Sequence, residues 1–106
     1  MKRLGLQHNY HDAQLQRVRF EERRIVFETS LDGHWNKDCP QKAQLIFETV
    51  HNLEEIKTLF GAVGRQSLVD VADEIIGVAK LSKTCYIIDL HRTGAVEIDC
   101  RHVYEV

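Results

Sequence analysis

The sequence has one proline, one tryptophan and no apolar run that approaches the length of a membrane span. A bilayer-spanning helix needs about 20 consecutive, mainly apolar residues, so no membrane partner is predicted. Residues 1–6 begin like a signal peptide, but polar residues 7–12 stand where its apolar core belongs. We therefore predict a cytoplasmic protein.

An excess of charge of one sign is also lacking, because 14 Lys and Arg residues stand against 16 Asp and Glu residues, for a formal net charge of -2. Non-specific nucleic-acid binding usually requires a basic excess, so no nucleic-acid partner is expected. Cysteine is scarce too. Cys39, Cys85 and Cys100 are an odd number without Cys-x-x-Cys spacing, which favours neither a disulfide framework nor a zinc site.

The chain has enough apolar residues for a core of its own, with 43% hydrophobic residues in a length of 106. We predict a single domain over residues 1–106. Segments with a hydrophobic period of two occur at both ends, and segments with a helical period lie between them. This order predicts an α+β fold, with an antiparallel sheet of about five strands and one or two helices packed on one face.

Residues 84–106 read as a β-hairpin with a three-residue loop, in which Gly94 takes the left-handed position. That loop places Tyr86 opposite Cys100 and Asp89 opposite Glu97. Because side chains alternate along a strand, the hairpin gains one apolar face and one mostly polar face. The predicted apolar face consists of Tyr86, Ile88, Leu90, Val96, Ile98 and Cys100.

An earlier hairpin is predicted over residues 16–29, with Phe20 opposite Ile25 and Val18 opposite Phe27. Leu15 falls on the polar side in this register, which indicates a β-bulge or a strand that starts earlier, near Asp12. A third strand is predicted over residues 43–50.

Asn52 is suited to cap a helix that carries Leu53, Ile56, Leu59 and Phe60 on one side. The window 67–81 is ambiguous. Its apolar spacing predicts a second helix that begins after Ser67, whereas its β-branched residues favour a strand over residues 75–81 that pairs with residues 84–90.

Two groups of side chains invite a catalytic or metal-binding interpretation. His8, His11 and Asp12 have the ligand types of a transition-metal site, and the competing interpretation is a capped turn before the first strand. Cys100 and His102, near Cys85, could form a nucleophile, but a core thiol is usually inert. We predict no catalytic residue, metal site or cofactor.

Asp89, Glu97 and Asp99 project from the polar face of the C-terminal hairpin and predict a site for a basic protein partner. Neutralisation by Arg101 and His91, or by arginines of the first hairpin, is the competing explanation. Trp35, in the loop 30–41, is a second candidate contact, either as an exposed anchor or packed on the core.

Tyr10-His11-Asp12-Ala13, followed by several strands and a C-terminal hairpin, resembles a loose group of small bacterial β-rich proteins, some thought to be toxin-immunity proteins. The resemblance implies a binding module that neutralises a partner, and it assigns no catalytic residue. The acidic hairpin face would suit a basic partner, such as a toxin nuclease. We therefore predict a non-catalytic binding protein. Two alternatives remain: a small enzyme that uses the cysteines or His8, His11 and Asp12, and a small-molecule binder with an apolar pocket. The sequence does not indicate an oligomeric state.

Overall fold

The computed structural model describes residues 9–32 and 42–106, which form a seven-stranded antiparallel sheet and one short helix. The elements in chain order are β1 (Ala13–Glu21), β2 (Arg24–Ser30), β3 (Lys42–Glu48), α1 (Leu53–Leu59), β4 (Leu68–Lys80), β5 (Cys85–Leu90), β6 (Gly94–Asp99) and β7 (His102–Glu105). The strand order across the sheet is β6-β5-β4-β1-β2-β3-β7. The predicted antiparallel sheet with a helix is thus confirmed, but the expected number of about five strands is wrong.

The window 67–81 lies almost entirely in strand β4, so the helix predicted there is wrong. The competing strand over residues 75–81, paired with residues 84–90, is right for that part, but β4 begins earlier, at Leu68. β4 pairs with β1 on one side and with β5 on the other. Its pairing shifts register twice, between Asp70 and Asp73 and between Ile75 and Gly77. At each shift β4 has one residue more than its partner strand, which interrupts the alternation of its side chains. The apolar residues of β4 are therefore spaced as they would be on a helix.

The C-terminal hairpin has the predicted faces, since all six residues of its apolar face are buried. Its register is wrong by two residues. Leu90 pairs with Gly94, and Asp89 pairs with Ala95 instead of Glu97. A shift of two residues leaves every side chain on its own face, so the hydrophobic pattern could not distinguish the two registers.

The first hairpin has the predicted register, with Phe20 paired to Ile25 and Val18 to Phe27. Both expectations about Leu15 hold as well, because β1 begins at Ala13 and the pairing shifts between Leu15 and Arg17. Leu15 is thereby buried.

The sheet curls into a half-barrel, so that strands far apart in the sheet order meet. The rings of Phe47 on β3 and Tyr86 on β5 pack edge to face, with centroids 6.2 Å apart. A backbone hydrogen bond from His51 N–H to Asp99 O (2.7 Å) also ties β6 to the segment that follows β3. The core fills the inside of this curl.

Helix α1 lies beside β6 and buries Ile56 in the core. Asn52 precedes it, but its side chain makes no capping hydrogen bond. Leu59, predicted on the apolar side of the helix, is 49% exposed. The helix therefore turns part of its apolar surface toward solvent, beside β6.

Candidate partner-binding site

Asp89, Glu97 and Asp99 lie together on the outer, convex side of β5 and β6; we call these three residues the acidic face. Asp89 and Glu97 are exposed, and the side chain of Asp99 is 50% exposed. Because Asp89 pairs with Ala95, and Glu97 with Ile87, the first two carboxylates are diagonal neighbours. Diagonal positions lie about 7–8 Å apart, so the repulsion expected from a direct Asp89–Glu97 pair is reduced.

The acidic face has little internal neutralisation within residues 9–32 and 42–106. His51 Nδ1 lies 3.3 Å from Asp99 Oδ1. Among the ion pairs of these residues, none involves Asp89 or Glu97, and neither Arg101 nor His91 provides one. Among the described residues, the contact between His51 and Asp99 is therefore the one ion pair that could neutralise this face.

Three arginines of the first hairpin, Arg17, Arg19 and Arg24, pair with acids on their own part of the sheet. Arg17 pairs with Asp70 (3.3 Å), and Arg19 pairs with Glu21 (3.1 Å) and Glu28 (3.4 Å). β4 and β5 stand between β1 and β6. These arginines are therefore committed elsewhere.

Cys85 and Cys100 behave as weakly acidic thiols. Burial raises the pKa of Cys100 to about 12, with a further contribution from Asp99. The pKa of Cys85 is also raised, by burial first and then by the negative charges of Glu97 and Asp99. Both shifts of pKa oppose formation of the thiolate, which is the nucleophilic form.

His11 and Asp12 belong to the turn that enters β1. His11 Nδ1 lies 2.7 Å from Ile76 O, and because a carbonyl oxygen only accepts, this nitrogen carries the proton. Asp12 N–H donates to Ile75 O (2.9 Å), and His11 Nε2 lies 3.6 Å from Asp12 Oδ2. The ring therefore bridges the turn to the bulge of β4.

His8, Trp35 and Cys39 lie outside the described residues. In the part of the chain that the structure describes, no group of three or more His, Cys, Asp or Glu side chains is placed to hold a metal ion. Of the His8, His11, Asp12 group, the structure therefore places His11 and Asp12, both in a turn. The predicted contact role of Trp35 stays a prediction.

A cleft of about 390 Å³ separates α1 from β6, next to the acidic face. It is lined by Glu55, Ile56, Thr58, Leu59, Ala95, Val96 and Glu97. Ile56 and Val96 are buried and form the floor, whereas Glu55 and Glu97 are exposed at the rim. The volume lies at the small end of the range for ligand pockets, about 300–1,000 Å³.

Beside this cleft, the side-chain amide of Asn52 binds the backbone of β6. Its Nδ2 donates to Glu97 O (2.9 Å), and its Oδ1 accepts from Asp99 N–H (2.9 Å). Asn52 thus occupies the place of a neighbouring strand on β6. Sequence reasoning assigned it to the helix cap and missed this role, because its partners lie 45 and 47 residues further along the chain.

Comparison of the chain with protein families, with curated proteins and with solved structures finds no match in any of the three. The resemblance to small bacterial β-rich proteins therefore stays a prediction. Within residues 9–32 and 42–106 there is no helix with the length and apolarity that crossing a bilayer requires.

Proposed function

We propose that this protein is a non-catalytic binding protein whose acidic face receives a basic protein partner, in the manner of an immunity protein that neutralises a basic toxin. The observation that carries the proposal is the group formed by Asp89, Glu97 and Asp99 on one side of the β5–β6 hairpin. Two of these carboxylates are exposed and take part in no ion pair among the described residues. Such a face attracts a complementary positive surface over distance.

The fold supports this proposal by holding the acidic face on rigid backbone. The alternate side chains of β5 and β6 are buried in the core, so the hairpin cannot turn over without exposing them. Asn52 fixes β6 to the start of α1. The carboxylates are therefore displayed in a fixed arrangement, which lowers the entropy cost of binding.

The test begins with a pull-down from the native host to identify a partner, followed by measured association rates with the purified protein. Glu97→Lys/Asp99→Lys should slow association roughly tenfold at low salt, because electrostatic steering accounts for factors of 10 to 1,000. Added salt should slow the wild-type protein and affect the variant little.

Glu22→Lys/Asp70→Lys is the matched control, since it changes the net charge equally. Glu22 lies in the β1–β2 turn, and Asp70 on β4 is paired with Arg17. This control should associate at a rate near that of the wild type. Equal rates for the acidic-face variant and the wild type would reject the proposal and direct attention to Trp35.

A further inference from the structure

We propose that the basic partner contributes an extended segment that adds to β6 as an eighth strand, within the cleft between β6 and α1. This inference rests on the proposed function and specifies how the partner is held. Strand addition to a free sheet edge is a general mode of peptide recognition, in which backbone hydrogen bonds supply affinity and alternate side chains supply specificity.

The first support is the direction of the β6 backbone. Among the described strands, β6 is an edge strand with β5 as its one neighbour. The Asn52 amide reaches Glu97 O and Asp99 N–H from the opposite side. In an antiparallel strand every second residue points its N–H and C=O to the same side. The N–H and C=O of Ala95 therefore face the cleft, together with the N–H of Glu97.

These backbone groups are available. Within the described ranges, the N–H and C=O of Ala95 and the N–H of Glu97 make no hydrogen bond to α1 or to any side chain. An open edge of this kind is a template for pairing with another chain. Further along the same edge, Asn52 bonds to Glu97 O and Asp99 N–H and so makes the two hydrogen bonds that a neighbouring strand would make there.

The second support is the difference between the two sides of the cleft. Val96 points into the core beside Ile56 and half-exposed Leu59, whereas Glu97 points to the acidic face. A strand laid along Ala95–Glu97 alternates its side chains between these two environments. The segment that fits has apolar residues directed at Leu59 and Ile56 and Lys or Arg residues directed at Glu97 and Asp99.

Charge also distinguishes this occupant from a second copy of the same chain. Pairing of two β6 edges would bring Glu97 and Glu55 of one copy close to the same carboxylates of the other, a like-charge contact that destabilises a strand pair. Among the described residues, no ion pair involves Glu55 or Glu97. A basic segment removes this repulsion, so the proposal commits to a basic partner strand.

The experiment uses the full chain and an acetylated, amidated peptide of alternating lysine and valine, followed by amide NMR. With the peptide close to saturation, exchange of the Ala95 and Glu97 amide protons with solvent should slow about tenfold, because these protons exchange only in the unoccupied protein. The matched controls are two versions of the same peptide, each with the alternate backbone nitrogens of one edge methylated. Both keep every charge. Only the version methylated on the edge that faces β6 loses the N–H that donates to Ala95 O, so this version should give no protection and the other should still protect.

Two protein variants complete the test. Ala95→Pro removes an edge-facing N–H that has no partner within the described residues, and proline is tolerated on strand edges; it should abolish protection at Glu97. Glu97→Lys should weaken peptide binding at low salt. If Ala95→Pro fails to fold, the methylated peptides still decide the question.

The outcomes separate this inference from the proposed function. Equal binding of methylated and unmethylated peptides, with a continued dependence on Glu97, would overturn strand addition and leave the acidic face as the binding site. Protection of Ala95 and Glu97 in the protein alone, increasing with protein concentration, would identify a second copy as the occupant and overturn the proposal. Failure of the association-rate test with the native partner would reject the function itself.

Discussion

The carboxylate of Asp73 on β4 holds Thr93 in the β5–β6 loop through two hydrogen bonds. Its Oδ2 accepts from the Thr93 N–H (2.9 Å) and from the Thr93 hydroxyl (2.7 Å). Its Oδ1 accepts from the N–H groups of Arg92 and Glu74, both at 2.8 Å. A carboxylate that is 5% exposed thus has its charge compensated by four donors and fixes the conformation of the hairpin loop.

Asp73→Ala should lower the free energy of unfolding by about 3 kcal/mol, because a net hydrogen bond to a charged group contributes about 1.5–3 kcal/mol and such terms are not additive. Urea unfolding followed by circular dichroism measures the change. Asp70→Ala is the control on the same strand, since its exposed ion pair with Arg17 should contribute less than about 1 kcal/mol. Similar losses for the two variants would mean that Asp73 does not anchor the loop.

Stability should also fall in acid, partly through Asp73. Burial alone would raise the pKa of this carboxyl, but the hydrogen bonds from Arg92, Thr93 and Glu74 hold it below the usual value. A pKa lowered by folding contributes stability above the unfolded-state pKa of about 3.9, and this stability is lost as pH falls through the folded-state pKa.

The pH dependence is checked with Asp73→Asn, which cannot titrate. The difference in unfolding free energy between the wild type and Asp73→Asn should be largest at pH 6 and should shrink as the pH falls below 4. A difference that stays constant over this range would show that protonation of Asp73 is not linked to folding.

The same carboxylate explains why the faces of the C-terminal hairpin could be predicted and its register could not. Alternation along Tyr86–Leu90 and Val96–Cys100 determines which side is buried, and it is unchanged by a shift of two residues. The pairing of Leu90 with Gly94 depends instead on the loop, which Asp73 holds from about 20 residues away in sequence. Such a tertiary hydrogen bond has no local signature.

The helix predicted over residues 67–81 failed for a related reason. Bulges next to Asp73 and Gly77 break the alternation of β4, so its apolar residues recur at intervals that fit a helix. The β-branched composition of the segment was the better guide, because β4 pairs on both edges and buries Ile75 completely.

The candidate site was predictable only in its acidic residues. Strand alternation was enough to place Asp89, Glu97 and Asp99 on one side of a hairpin. The cleft needs α1 beside β6, an arrangement made by the curl of the sheet and by the bonds from Asn52 to Glu97 O and Asp99 N–H. Neither feature follows from local periodicity.

Gly94 and Gly77 provide a matched test of backbone strain. A Cβ added at either glycine meets no heavy atom within 4 Å, but only Gly94 has a positive φ, at 91°. Gly94→Ala should therefore lower the free energy of unfolding by about 1–2 kcal/mol, and the β-branched Gly94→Val by at least as much. Gly77→Ala should be neutral or stabilise by up to about 1 kcal/mol. Thermal or urea unfolding of the variants separates the two cases, and equal losses would contradict the strain argument.

Cys100 should resist alkylation in the folded protein. It is fully buried, and burial raises its pKa to about 12, so at pH 8 the thiolate is a minute fraction of the thiol. Of the two described cysteines, Cys85 is only partly buried and should react before Cys100. Timed labelling followed by peptide mapping distinguishes the sites, and labelling of Cys100 should accelerate in destabilised Asp73→Ala. Rapid modification of Cys100 in the stable protein would contradict its placement in the core.

The contact between Phe47 and Tyr86 offers a direct test of the curled sheet. β2, β1 and β4 lie between their strands in the sheet order, so the two rings would not meet in a flat sheet. In the structure the ring planes are inclined at 69° with centroids 6.2 Å apart, a geometry worth about 0.5–1.5 kcal/mol beyond the area buried. A double-mutant cycle with Phe47→Leu and Tyr86→Leu should give a coupling free energy of that size.

The matched cycle pairs Phe47→Leu with Ile88→Val. Ile88 lies on the same face of β5 as Tyr86 and is fully buried, but it has no ring to pack edge to face, so this cycle should lack the aromatic contribution and give a smaller coupling free energy. Urea unfolding of the single and double variants supplies every term. Coupling between Phe47 and Tyr86 that is no larger than in the control would contradict the contact between β3 and β5 and, with it, the curl of the sheet.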